Sequence, residues 1–230
     1  MARLRLITVD LDETVWPCMP VIRAAEDALH GWLRHAAPRL AEAYDVARLR
    51  EHRVGLMQRR PEIAHDITAI RVESLRELLA AHGDDPALAA AAVEVFLEAR
   101  HRVEPFPDVR GTLARWRGRY TLVAVTNGNA SVDRTPLKGC FDLALNAAAV
   151  GAMRPDPALF HAALKFAGTA PDEALHAGDD PRLDVAAARA AGMRTAWVNR
   201  SETAAPAHLP RPDVEVRTLV ELDHWLEAQE

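Results

Sequence analysis

Asp10, Asp12 and Glu13 fall within four residues, directly after the apolar run through Leu6, Ile7 and Val9. Like charges this close repel. A strand end that carries them needs a cation to neutralise them or a reaction that uses them. Three other stretches hold polar groups of complementary type: Thr126-Asn127-Gly128 after LVAV, Asp179-Asp180 after ALHAG with Asp184 one helical turn on, and Arg154 ahead of Pro155-Asp156. Several acids meeting at one point call for a hard cation with oxygen ligands, and Mg²⁺ is the natural one. Arg154, with the hydroxyl and backbone amides of Thr126 to Gly128, suits an anionic phosphoryl group. Asp10 then serves as a carboxylate nucleophile toward phosphorus, and Asp12 as the acid that protonates the leaving oxygen and later activates water. Singly, each signal has a plainer reading: a solvated acidic loop, a common Asn-Gly turn, a helix start that favours aspartate. Their joint order and spacing around a helical block point to one site.

The elements that must hold these residues can be read from the pattern. Residues 4 to 9 form a short buried strand. From about 20 to 103 apolar residues recur every three and four positions in four segments, PVIRAAEDALHGWLRHA, RLAEAYDVARLREHRVGLMQ, DITAIRVESLRELLAAHG and DPALAAAAVEVFLEARHRV, which predicts a small helical bundle. After the prolines of EPFPDVRGTL comes a helix at about 108 to 118, and then the texture alternates. YTLVAVT, FDLALN, EALHAG and RTAWVN read as strands. RTPLKGC reads as a short helix or turn, and DPALFHAALKFAG, DPRLDVAAARAAGM and TLVELDHWLEA read as helices. Such alternation means an α/β fold with a parallel sheet flanked by helices, the first strand included. The expected division is a core of residues 1–15 and 106–230 and an inserted helical domain of 16–105. Ligands of open parallel sheets bind outside the carboxyl ends of the strands, where the polar groups above stand.

Composition narrows the function classes. The 230 residues are 49% hydrophobic and carry a net charge of -5, with arginines scattered and no basic run, so a nucleic-acid partner is not expected. Cys18 and Cys140 lie far apart without metal-ligand spacing, which fits a reduced, cytoplasmic protein. The N-terminus turns acidic too soon for a signal peptide, and no stretch approaches a membrane span.

The motifs DLDET, VTNGN and HAGDDPRLDVAAARAAGMRTAWVNR resemble the haloacid dehalogenase superfamily in its helical-cap phosphatase branch, over nearly the whole chain. VTNGNA and HAGDDPRLDV look most like bacterial riboflavin-pathway and FMN phosphatases. The resemblance implies a Rossmann-like core with an inserted cap and an aspartyl phosphate on Asp10. It implies Mg²⁺ held by Asp10, the Asp12 carbonyl and Asp179, with Asp180 and Asp184 nearby through water or hydrogen bonds. Phosphoryl oxygens would be held by Thr126 and the Asn127 amide. An acid at Asp12 separates phosphatases from true dehalogenases, which lack one there and need no metal. One departure stands out: GAMRPDPALF puts Arg154 where the family usually has lysine, a planar fork in place of a point charge.

In the helical insert, Trp16 is a candidate to stack on an aromatic substrate, with hinge packing the plainer reading. Arg53, Arg59, Arg60 and above all Arg71 are candidate substrate contacts. The histidines show no metal spacing, and His176 reads as a core residue; Met153 and Met193 read as packing. The leading expectation is a Mg²⁺-dependent phosphomonoester phosphatase for a small phosphorylated metabolite, as a monomer or homodimer without nucleic-acid or membrane partners. A sugar-phosphate mutase and a slow phosphate-binding protein, the latter because of Arg154, are the alternatives.

Overall fold

The computed structural model describes residues 3 to 229. The chain divides into two compact units, 1–17 with 104–230, and 18–103. The boundaries fall two residues from the expected ones and leave Trp16 in the first unit.

The first unit is built on a six-stranded parallel sheet in the order β3-β2-β1-β4-β5-β6. The strands are β1 Leu6–Val9, β2 Thr121–Thr126, β3 Leu143–Asn146, β4 Ala174–Gly178, β5 Arg194–Val198 and β6 Val214–Val216. β1 is buried at all four residues, as a central strand covered on both faces must be. Val9 pairs with Ala124 on one side and Ala177 on the other, so Asp10, Thr126 and Asp179 emerge together at one end of the sheet. Sequence order reverses between β1 and β4, the crevice where open α/β sheets bind ligands. β6 is an addition to the expected strands: VEV is too short for periodicity to reveal, and it is made by pairing with β5.

Buried Leu6, Val123 and Val125 pack with Leu159, Phe160 and Ala163 of a helix at Ala158–Ala167. The stretch after β4 does not form the single helix that its pattern predicts. Pro181–Ala186 is a π-helical turn that runs into a short helix at Ala187–Ala190. Asp180 caps it, accepting from the amides of Arg182 and Leu183 at 2.7 and 2.8 Å.

The second unit contains five helices among the described residues: α1 Cys18–Ala36, α2 Pro38–Ala43, α3 Val46–Arg59, α4 Ile67–His82 and α5 Leu88–Arg100. Sequence periodicity merges α2 and α3. The break comes at Asp45, whose carboxylate caps α3 by accepting from Arg48 N at 2.8 Å. Leu29, Leu33, Leu40, Leu75, Leu79, Val93 and Phe96 fill the bundle. No helix of the described residues is long and apolar enough to cross a membrane.

Candidate active site

The site is built from strand ends, each with a local reason for its shape. Asp10 extends β1 by one further sheet bond, its N–H donating to Ala177 O at 2.9 Å. The chain then turns sharply. Val15 N bonds back to Leu11 O at 2.8 Å, Glu13 N bonds to Trp16 O at 2.9 Å, and Glu13 adopts a positive φ of 60°. The turn leaves Asp10 buried and Asp12 half-buried. Trp16 is completely buried, and its indole Nε1 donates to Asp12 Oδ1 at 2.8 Å. This corrects the expectation that Trp16 stacks on substrate: a buried indole N–H needs an acceptor, and the one it finds is the carboxylate expected to act as general acid. Arg200 fastens the same turn from beneath. Its Nε donates to Thr14 O at 2.9 Å, and its two terminal nitrogens donate to Asp108 at 3.1 and 2.9 Å.

Asp10, Asp179 and Asp184 each offer an oxygen, all within 4.8 Å of one another. Asp184 thus stands in the acidic cluster itself. The π-helical turn carries it back over β4, where it accepts from Asp180 N at 2.8 Å. Gly178 permits this approach, since a Cβ there would overlap the Asp184 carboxyl group. Asp179 is placed at both ends of the residue. Thr14 Oγ1 donates to its carboxylate at 3.1 Å, and Trp197 Nε1 donates to its carbonyl at 2.7 Å.

Arg154 is the cation among these acids, 5% exposed. One terminal nitrogen donates to Asp10 Oδ1 and the other to Asp184 Oδ1, a fork spanning two carboxylates that a lysine does not reproduce. Its backbone is clamped by Asn127. Arg154 N donates to Asn127 Oδ1 at 2.8 Å, and Asn127 Nδ2 donates to Arg154 O at 3.0 Å. The Asn127 side chain therefore orients the cation. Thr126, buried at the end of β2, accepts from Gly128 N at 2.8 Å. This bond turns the Gly128 N–H, expected at the phosphate, onto the Thr126 oxygen, and it leaves the Thr126 hydroxyl proton able to donate.

His176 completes the network. It pairs with Thr8 across β1 and β4, with Nδ1 2.8 Å from the Thr8 hydroxyl and Nε2 3.0 Å from Asp184 Oδ1. With Thr8 donating to Nδ1, Nε2 carries the proton and donates to the carboxylate. The sequence did contain a signal for this role, since His176 lies two residues before Gly178 and so on the same face of β4.

Charge balance follows from this geometry. Three carboxylates gather around the Arg154 guanidinium. Burial first, and then the neighbouring Asp184 and Asp179 charges, push Asp10 well above the usual carboxylate range despite Arg154. Burial and Asp184 push Asp179 up to about 7. Asp184 goes the other way: burial would raise it, but Arg154 and His176 outweigh burial and hold it low. Burial lowers His176, keeping the ring neutral against the attraction of Asp184. Burial opposes the charge on Arg154, but Asp184 and Asp10 more than compensate and raise its pKa. A divalent cation with oxygen ligands fits the excess negative charge and the donor set, with Asp10, Asp179 and Asp184 able to hold it.

Arg71 does not belong to this cluster. It is buried in the second unit with its guanidinium over the Phe96 ring. Arg59 and Arg60, also read as candidate substrate contacts, are substantially exposed and paired with Glu77 and Glu62.

The family model for haloacid dehalogenase-like hydrolases matches residues 4–192. The chain is 30% identical over 204 residues to the 5-amino-6-(5-phospho-D-ribitylamino)uracil phosphatase YigB of Escherichia coli, covering 86% of this chain and 84% of that protein. It is 39% identical over 136 residues to a phosphoserine phosphatase of Thermus thermophilus, covering 56% of this chain and 55% of that protein. A crystal structure described as a 2-haloacid dehalogenase from Pseudomonas syringae pv. Tomato DC3000 superposes with a TM-score of 0.93 at 39% identity, covering 99% of this chain and 100% of that one.

Proposed function

From a chain that belongs to the haloacid dehalogenase-like hydrolases, and is therefore a hydrolytic enzyme, we propose a Mg²⁺-dependent phosphatase for a small phosphate monoester. The observation that carries this reading is the pairing of Asp10 with a second acid, Asp12, two residues on and held by Trp16, beside a carboxylate cluster in need of a divalent cation. Displacement of halide from carbon requires neither a proton donor to an oxygen leaving group nor a metal. Similarity to the YigB phosphatase supports the same reading and makes the phosphoribitylamino-uracil ester and FMN the first substrates to try. A cytoplasmic monomer or homodimer is the setting this implies.

Arg154 engages Oδ1 of Asp10, which leaves Oδ2 for attack on phosphorus. The Asp10–phosphorus bond forms as the ester P–O bond breaks, and Asp12 gives its proton to the departing alkoxide. Asp12 then takes a proton from water, the water oxygen bonds to phosphorus, and the acyl–phosphate bond breaks to free Asp10 and phosphate. Arg154 and the Thr126 hydroxyl stabilise the charge on the phosphoryl oxygens. Mg²⁺, held by Asp10, Asp179 and Asp184, would supply the charge neutralisation that lets an anionic carboxylate attack an anionic phosphoryl group.

The Pseudomonas syringae structure favours a second reading, hydrolysis of a 2-haloacid with Asp10 attacking carbon. One panel separates them: phosphate release from FMN, the phosphoribitylamino-uracil ester, sugar phosphates and phosphoserine, and halide release from 2-chloropropionate, each with Mg²⁺ and with chelator. Metal-dependent phosphate release is the expected result. Metal-independent halide release without phosphate release would overturn the phosphatase reading.

A further inference from the structure

A second cleft opens at the other end of the sheet, where the strands begin. It encloses about 710 Å³ and is lined by Arg3 and Arg5 ahead of β1, Arg119 and Tyr120 ahead of β2, Asp142 ahead of β3, and Phe166 near the end of the Ala158–Ala167 helix. All of these residues belong to the sheet unit. Five steps of strand separate Arg5 from Asp10, about 16 Å, so a ligand in this cleft does not touch the acidic cluster.

The cleft combines an uncovered ring with a local excess of positive charge. Phe166 is 50% exposed, while Leu159, Phe160 and Ala163 of the same helix are buried in the core. Among the described residues the exposed large apolar side chains are Met19, Val54 and Phe166, and of these Phe166 is the aromatic one. A ring left in water gains when a flat partner covers it. The chain carries a net charge of -5, yet three arginines line this cleft against one aspartate. Asp142 is committed to the fold, its Oδ2 accepting from Leu122 N at 2.8 Å. Arg119 is held over the Tyr120 ring, its guanidinium carbon 5.3 Å from the centroid and its Nη2 donating to Tyr120 Oη at 3.4 Å. Arg5 is only tethered, 3.7 Å from Glu173 in a largely exposed pair that adds little. Guanidinium groups gathered on one cleft raise a positive potential that draws anions.

We infer that this cleft binds a free nucleotide, with its base on Phe166 and its phosphate oxygens at Arg3, Arg5 and Arg119. Guanidinium forks match phosphate oxygens two at a time. An exposed ring accepts the face of any base. The volume falls among those of small-molecule sites, about 300–1,000 Å³. The arginines elsewhere are scattered, with no basic run, which favours a small nucleotide over a nucleic-acid strand. Binding here does not depend on what Asp10 attacks.

Calorimetric titration of the full chain with ATP and AMP tests this, in chelator so that metal-dependent hydrolysis is silent. Wild type should bind ATP with a Kd below about 1 mM. AMP should bind more weakly, and adenosine and inorganic phosphate at least about tenfold more weakly than AMP. Phe166→Ala should raise the ATP Kd about tenfold or more. The double variant Arg3→Ser, Arg5→Ser should raise it by a similar factor and flatten its dependence on salt. All three positions are exposed, so the fold is spared. Arg189→Gln with Arg217→Gln removes the same charge from exposed ion pairs outside the cleft and should keep the wild-type Kd. No ATP binding by wild type overturns the inference. So does an unchanged Kd in Phe166→Ala, or an equal loss in both double variants, which would reduce the effect to net charge.

Discussion

The two units bury clusters of opposite charge, and each cluster is incomplete in its own way. In the sheet unit, Asp10, Asp179 and Asp184 gather around one guanidinium among the described residues, that of Arg154. In the helical unit, Glu26 is shared by Arg50 and Arg53, and Arg71 is left with an aromatic ring. Neither arrangement is what folding stability favours, since an apolar side chain of similar size avoids the desolvation altogether. The difference lies in how firmly the groups are held. The acids are fixed by named bonds from Thr14, His176, Trp197 and the Asp180 amide. Arg71 has packing but little hydrogen bonding. Firm placement suits groups that make and break bonds.

Removal of the nucleophile should have the largest effect. Asp10→Asn should lower kcat by more than about 10³-fold while the protein keeps its fold, read from phosphate release and circular dichroism. Retained turnover would remove Asp10 from the chemistry. Next in size is the fork. Arg154→Met leaves Asp10 and Asp184 without their cation and should cost about 10²-fold or more in kcat/KM, whereas Arg154→Lys should recover part of it. Equal activity of the lysine variant and wild type would mean that charge alone matters there. Trp16→Phe keeps an aromatic ring at this buried position, though a smaller one, and removes one hydrogen bond to Asp12. The expected loss is about tenfold in kcat for alkyl phosphates and less for p-nitrophenyl phosphate, whose leaving group needs no proton. A uniform loss across leaving groups would make the indole a packing residue only.

The smallest effects concern stability and pH. Asp179 is raised from 3.8 to about 7, so its ionised form is disfavoured in the folded protein without metal. The sign follows by linkage: the unfolded chain gives up this proton near its ordinary pKa while the folded chain retains it. The metal-free protein therefore loses stability as pH rises from about 4 to about 7, and the deficit is complete above that. Asp179→Asn should raise the Tm of the chelated protein at pH 8 by a few degrees, about 2–4 °C per kcal/mol for a chain of this size, and leave it nearly unchanged at pH 4. Mg²⁺ should stabilise wild type more at pH 8 than at pH 5.5, because protons compete for the ligand. Thermal melts across pH, with and without metal, check both. In the other unit Arg71→Met should likewise raise the Tm, since it replaces a buried charge that rests on the Phe96 ring.

Much of the core was legible in the chain. The acidic turn, the Thr126-Asn127-Gly128 stretch, Arg154 and the Asp179-Asp180 pair each follow a strand or precede a helix, and parallel-sheet topology is enough to gather them. Local pattern gave the strands and most helices, because burial on both faces or on one face leaves a period in the sequence. It missed the break between α2 and α3, where a capping aspartate outweighs the apolar period, and β6, which exists only through its neighbour.

The order of residues along the chain therefore specifies the kinds of groups at the site and the strand ends that deliver them. The tertiary structure decided what each side chain does there. Trp16 turned from a stacking face into the hydrogen-bond donor to Asp12, and the Asn127 side chain became the brace of Arg154. Asp184 moved into the acidic cluster through a π-helical turn laid over Gly178. Arg71 joined a buried cluster in the other unit. Hydrogen bonds and ion pairs depend on a few tenths of an ångström between residues up to 186 positions apart, as with Thr14 and Arg200. No periodicity along the chain encodes that distance, and only the packed fold sets it.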